Sequence, residues 1–99
     1  MARIPLTGEL TIYQAAAFKQ QLEQALEQSH HDLEPVQLDL SGVTEIDGAG
    51  LQLLLATAKS TIGTDIHLSL HQVPESIQQL FATFNVANRF NLVQESGNE

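Results

Sequence analysis

Val43-Thr-Glu-Ile-Asp-Gly-Ala-Gly-Leu-Gln-Leu-Leu-Leu55 is the stretch that decides how this chain is read. Before it, Val36-Gln-Leu-Asp-Leu40 alternates. Val36, Leu38 and Leu40 face one way, and Gln37 and Asp39 the other, which is the pattern of a half-buried strand. After it, Leu51, Leu54, Leu55 and Ala58 recur at helical spacing, so the reading predicts a helix over Leu51–Ser60 with Asp47 as its cap. Gly48 and Gly50 flank Ala49 at the junction. Such a strand-to-helix corner suits a backbone that must expose its amides, or a small surface that must meet a partner.

The flanks repeat the strand–helix rhythm. Arg3-Ile-Pro-Leu-Thr7 alternates, and Pro5 donates no ladder hydrogen bond, so this strand is expected at a sheet edge. Thr7-Gly8-Glu9 reads as a turn. Thr11, with Gln14 three residues later, reads as the capping box of a helix over Ile12–Gln28, whose buried stripe is Ala15, Phe18, Leu22, Ala25 and Leu26. His30 and His31 then fall in a loop that Pro35 ends, and Ser41-Gly42 reads as a turn after the second strand. Gly63 is the expected left-handed terminator of the central helix. Ile66–His71 is a third strand. Val73–Phe84 is a third helix, with Pro74 in its first turn and Ile77, Leu80, Phe81 and Phe84 as its core stripe. Asn85–Phe90 reads as a turn or short helix and Asn91–Gln94 as a last short strand, while Ser96–Glu99 should be loose. Strands separated by helices need crossovers, so the sheet should be mostly parallel. The strands alternate where doubly covered strands would be continuously apolar, which puts helices on one face only.

The bulk numbers suit one small α/β domain spanning 1–99, with an ordered core over about 3–93. Apolar residues are 42% of the chain, which argues against disorder. No apolar run approaches the roughly 20 residues of a membrane span. Met1-Ala-Arg-Ile-Pro5 leads into no apolar stretch, so it does not read as a signal peptide. There is no cysteine, hence no disulfide and no thiolate chemistry, which fits the cytoplasm. The formal charge is −8 and only Arg3, Lys19, Lys59 and Arg89 are basic. Nucleic acid and anionic membrane surfaces are therefore poor ligands. The acidic surface serves solubility and is compatible with a basic protein partner.

The sequence carries no pattern of catalytic or metal-ligating residues, and the expectation is no enzyme, no cofactor and no metal. His67 and His71 lie four residues apart along a strand, roughly 13 Å, too far to share one ion. His30 and His31, beside Asp32, read as surface residues. No serine sits on a nucleophile elbow. Asp47-Gly-Ala-Gly50 lacks the spacing and the lysine of a phosphate loop, and Asp47 would repel a phosphate from the amides that it caps. Glu45 and Asp47 lie in a short exposed connection, without the burial that acid–base work needs. On the central helix, with Leu51 at zero and about 100° per residue, Leu53 falls near 200°, close to Ala49, Ala56 and Ser60. Single exposed leucines are ordinary and alanine is a good helix former. The same residues would also make a flat patch for close approach by a partner.

Taken together, Leu6-Thr-Gly-Glu-Leu10, Val36-Gln-Leu-Asp-Leu-Ser-Gly-Val43, Ile46-Asp-Gly-Ala-Gly-Leu51 and the Ser76…Leu80-Phe81 helix resemble the STAS family, the bacterial anti-sigma-factor-antagonist domains. The resemblance covers nearly the whole chain after Arg3. It implies a non-catalytic, cytoplasmic signalling module that binds a kinase/anti-sigma factor. In that family the kinase phosphorylates a Ser or Thr just after the Asp. Here that position is Gly48 and the next is Ala49, so the phosphoswitch has no hydroxyl to act on. Thr11 also stands where phosphorylated relatives often carry an acidic residue. What carries over is the surface: Asp47, Gly48, Ala49, Gly50 and Leu51, joined by Leu53 and Ala56 from the patch above. Family members usually begin with an extra antiparallel strand. Here it is expected to be missing or vestigial, which leaves the Pro5 strand at an edge open to weak homodimer pairing. Thr11-Ile-Tyr-Gln-Ala-Ala16 also looks like small STAS proteins of chemotaxis signalling. The alternatives are a STAS subunit docked on the ATPase of a phospholipid-transport ABC complex, and a small-ligand sensor that binds nucleotide or lipid at the same corner.

Overall fold

In the computed structural model, residues 2–32 and 34–93 are described. Among them the order is β1 (Ala2–Leu10), α1 (Ala15–Asp32), β2 (Val36–Ile46), α2 (Gly48–Ser60), β3 (Leu68–His71), α3 (Glu75–Thr83), a 3-10 turn (Ala87–Arg89) and β4 (Leu92–Val93). The described strands form one sheet in the order β1-β2-β3-β4, with every neighbouring pair parallel. Each right-handed crossover therefore steps the same way, which stacks α1, α2 and α3 on one face. Burial agrees. Val36, Leu38 and Leu40 are buried, while Gln37 and Asp39 on the opposite face are partly exposed. The expected STAS-like α/β fold is the one observed. No antiparallel strand precedes β1 among the described residues, and β1 is an edge strand.

The core is a single cluster beneath the helices. Leu6, Leu10, Leu38, Leu40, Leu54, Leu70 and Phe81 are essentially inaccessible to water. Phe81 stacks on Phe90, with ring centroids 4.8 Å apart, and so ties α3 to the 3-10 turn. Leu22 and Phe18 bring α1 down onto the same cluster. On the open face Arg3 donates to Gln37 (3.3 Å) and pairs with Asp39 (3.5 Å), linking the edge strand to its neighbour.

Several local expectations need correction. Thr7-Gly8-Glu9 and Ser41-Gly42 are not turns; both lie inside long paired strands. The turn residues instead mark bulges. The pairing offset is 34 at Ala2↔Val36 and 36 at Leu10↔Ile46, so β2 takes in two extra residues, at the irregularities between Pro5 and Thr7 and between Gly8 and Glu9. Gly8 supplies a left-handed backbone there, with φ +92°. At the first bulge the Ser41 amide leaves the ladder and donates to the Asp39 carboxylate at 2.9 Å. Gly42 admits the close approach of β1, because a Cβ would stand 2.8 Å from Thr7 Cγ2.

The helix bounds shift as well. Helix α1 starts at Ala15 and runs through His30 and His31, which are helical and not in a loop. Its expected stripe holds, with Phe18 and Leu22 buried. Helix α3 ends at Thr83. Asn85 then takes φ +58°, and Phe84 is left 57% exposed instead of joining the core stripe. Gly63 adopts φ +81° as expected, two residues beyond the Thr61 C-cap.

These contacts predict a sharp contrast between two glycines that stand two residues apart. A Cβ on Gly50 would overlap the Leu10 carbonyl oxygen, with the Leu10 carbonyl carbon at 2.9 Å and Ile46 Cγ1 at 3.0 Å, whereas nothing lies within 4 Å of one on Gly48. Gly50→Ala should cost about 2 kcal/mol or more in urea unfolding, and Gly48→Ala should stay within about 0.5 kcal/mol of the parent. Equal effects would show that α2 does not press on β1 as described.

Candidate functional site

The corner forms where β2 ends and α2 begins. Asp47 has extended backbone (φ −119°, ψ −173°), as an N-cap requires, and its carbonyl accepts from the Leu51 amide at 2.9 Å. Its Oδ1 accepts from the Gly50 amide at 3.0 Å. The capping role expected of Asp47 is therefore present. A second role was not legible in the sequence. Oδ2 accepts from the Ile12 amide at 3.0 Å, and the Asp47 amide donates to the Leu10 carbonyl at 3.3 Å. One residue thus joins the β2–α2 corner to the β1–α1 loop, 35 positions away in sequence.

This clasp also corrects the reading of Thr11. Thr11 is buried, its Oγ1 has no hydrogen-bond partner among the described residues, and its carbonyl accepts from the Gln14 amide at 2.9 Å. The side chain caps nothing. The Gln14 amide that a capping box would have served bonds the Thr11 carbonyl instead, and Asp47 holds the Ile12 amide from the next corner.

The two amides lower the Asp47 pKa below its ordinary value, the Gly50 bond contributing most and the Ile12 bond next. The ionised carboxylate is therefore the form that the folded corner prefers. It occupies the start of α2, so an external anion would have to displace it from the Gly50 amide.

The other expected surface residues divide into distinct environments. Gly48 is exposed with open space around it. Ala49 is half-buried. Gly50 and Leu51 are buried, and Gly50 is small because α2 touches the end of β1 there. Ala56 is exposed, but Leu53 is only partly so. It packs against the core and lines a shallow groove with Leu22 and Leu26 of α1. The helical-wheel angle of Leu53 points it away from the sheet, and α1 lies over that side of α2.

Ile12 and Tyr13 escaped the sequence reading. They are 66% and 93% exposed and stand on the loop that Asp47 holds. A signal for Tyr13 was present: at helical spacing it falls about 160° from Ala15, nearly opposite the Phe18 and Leu22 stripe.

The depressed pKa sets the sign of a pH effect. The folded state holds the Asp47 proton less tightly than the unfolded chain. Its contribution is complete above the unfolded value, about 3.9, and is lost as pH falls through the lower folded value. Asp47→Asn should therefore be less stable than the parent by a constant margin between pH 5 and 8, and that margin should shrink below about pH 4. Asp39, also lowered (chiefly by the Ser41 amide, with Arg3 adding to it), is present in both proteins and cancels in the difference. Urea midpoints across pH give the measurement, and a margin that grows in acid would contradict the clasp.

Comparison with protein families finds one described as "Mlab, STAS domain", whose model matches residues 1–94. Comparison with curated proteins finds no match. Among the described residues no helix is long and apolar enough to cross a membrane. The four-stranded parallel sheet with its three helices fits that match, and the chain belongs to the STAS domain family, whose members are modules of the signalling or transporter-associated kind.

Proposed function

We propose that this protein is a non-catalytic docking module that binds a regulatory protein through the Asp47 corner and is not switched by phosphorylation there. The observation that carries the reading is the pairing of exposed Ile12 and Tyr13 with the open Gly48 position across one clasp. An exposed aromatic on a loop tied down by two corners offers contact area at little ordering cost, which is what interface anchors require. The face then comprises Ile12, Tyr13, Asp47, Gly48 and Ala49, with Ala56 farther along α2. Gly50, Leu51 and Leu53 support it from beneath. The partner is a kinase/anti-sigma factor or a chemotaxis-type signalling protein. A second reading makes the chain a STAS subunit docked on the ATPase of a phospholipid-transport ABC complex, and the Mlab description of the matched family favours it.

Affinity capture from native lysate tests the face. Tyr13→Asp and Ala49→Arg should each lose the protein that the parent retains, with unchanged urea midpoints. If both variants still capture it, docking lies elsewhere. Mass spectrometry of the captured protein separates the partner classes. Gly48→Ser separates them again, because its side chain has room and follows the N-cap of α2. With a captured kinase and ATP, the serine variant should gain one phosphate while the parent gains none. An unmodified variant would exclude a STAS kinase as the partner.

A further inference from the structure

At the far end of α2, about 20 Å from Asp47 by helix length, the helical cover of the sheet is incomplete. An open groove of about 790 Å³ lies there between the last turns of α2, strand β3 and the 3-10 turn. Its floor is apolar, with Leu55, Leu68, Leu70 and Phe90, and Ile62 stands 78% exposed at its rim. Its charge is the reverse of the chain's. The protein has 12 carboxylates and four cations, yet the groove is lined by Lys59 and Arg89 and by no carboxylate. Neither cation forms an ion pair with a described residue. Asn88 and Asn91 add carboxamides to the lining.

We infer that this groove binds an amphipathic organic anion, a carboxylate or phosphate monoester carried on an extended apolar chain. The volume falls in the range of small-molecule sites, and the lining follows their usual plan: a mostly apolar wall with a few polar groups that fix orientation. Leu55, Leu68 and Ile62 would take the chain, and Lys59 and Arg89 the head. Charge selects the ligand. A neutral amphiphile leaves two cations unanswered, and an acidic protein surface of −8 repels small anions everywhere except where both cations stand. Of the proposed docking face only Ala56 reaches this lining, and the groove does not depend on that face.

Titration of the full chain with monomeric laurate and dodecyl phosphate, followed by amide chemical shifts in NMR, tests the inference. Both should saturate one-to-one and shift residues 58–62 and 88–91. Dodecyl maltoside and inorganic phosphate, the neutral chain and the bare head, should each bind at least about tenfold more weakly. Lys59→Glu and Arg89→Glu, both exposed and outside the core, should each weaken binding about fivefold with unchanged melting. Equal binding of dodecyl maltoside, insensitivity to both charge reversals, or shifts confined to residues 12, 13 and 47–49 would overturn the site. Shifts at the groove that track protein concentration without ligand would assign it to a second copy of the chain and would equally overturn it.

Discussion

Asp47 is the residue on which the arrangement of this fold depends. Four backbone groups converge on it: the amides of Gly50 and Ile12 on its carboxylate, the Leu51 amide on its carbonyl, and the Leu10 carbonyl on its amide. Between them these bonds start α2, hold the loop before α1 and close the ends of β1 and β2 together. A charge that accepts two amides satisfies donors which the start of α2 and the loop before α1 would otherwise leave to solvent. The same geometry makes the corner small. Gly50 must lack a side chain because Leu10 passes against it, while Gly48, two residues earlier, meets nothing. The corner thus contains one glycine with a packing reason and one without.

The clasp is possible because the two strands that feed it end level. Strand β2 is two residues longer than β1 over the paired region, and two bulges absorb the difference. Without them Leu10 and Ile46 would fall out of step, and Leu10 could not present its carbonyl to Asp47. The bulges also place Ser41 on Asp39 and Gly42 beneath Thr7. An edge strand with Pro5 in it presents a poor template for another chain.

The two ends of α2 carry different surfaces. At its start lies an apolar, aromatic loop beside a position without a side chain. At its end lies an apolar groove with half of the chain's cations. Both arise because α2 is the central element of a single helical layer, flanked closely by α1 and less completely by the short α3 and the 3-10 turn. A one-sided layer leaves its seams open where a neighbouring element is short.

The sequence alone determined the element types, the parallel order, the one-sided cover, the edge position of Pro5 and the Asp47 cap. All of these rest on local spacing: alternation for strands, three- and four-residue recurrence for helices, and an acceptor before a helix. The tertiary structure decided what lies across the chain from each residue. It turned two apparent turns into bulges, made Thr11 a buried side chain instead of a cap, set Leu53 against α1 and brought Ile12 to Asp47. Spacing along a chain reports which face a residue occupies, and only packing reports what covers that face.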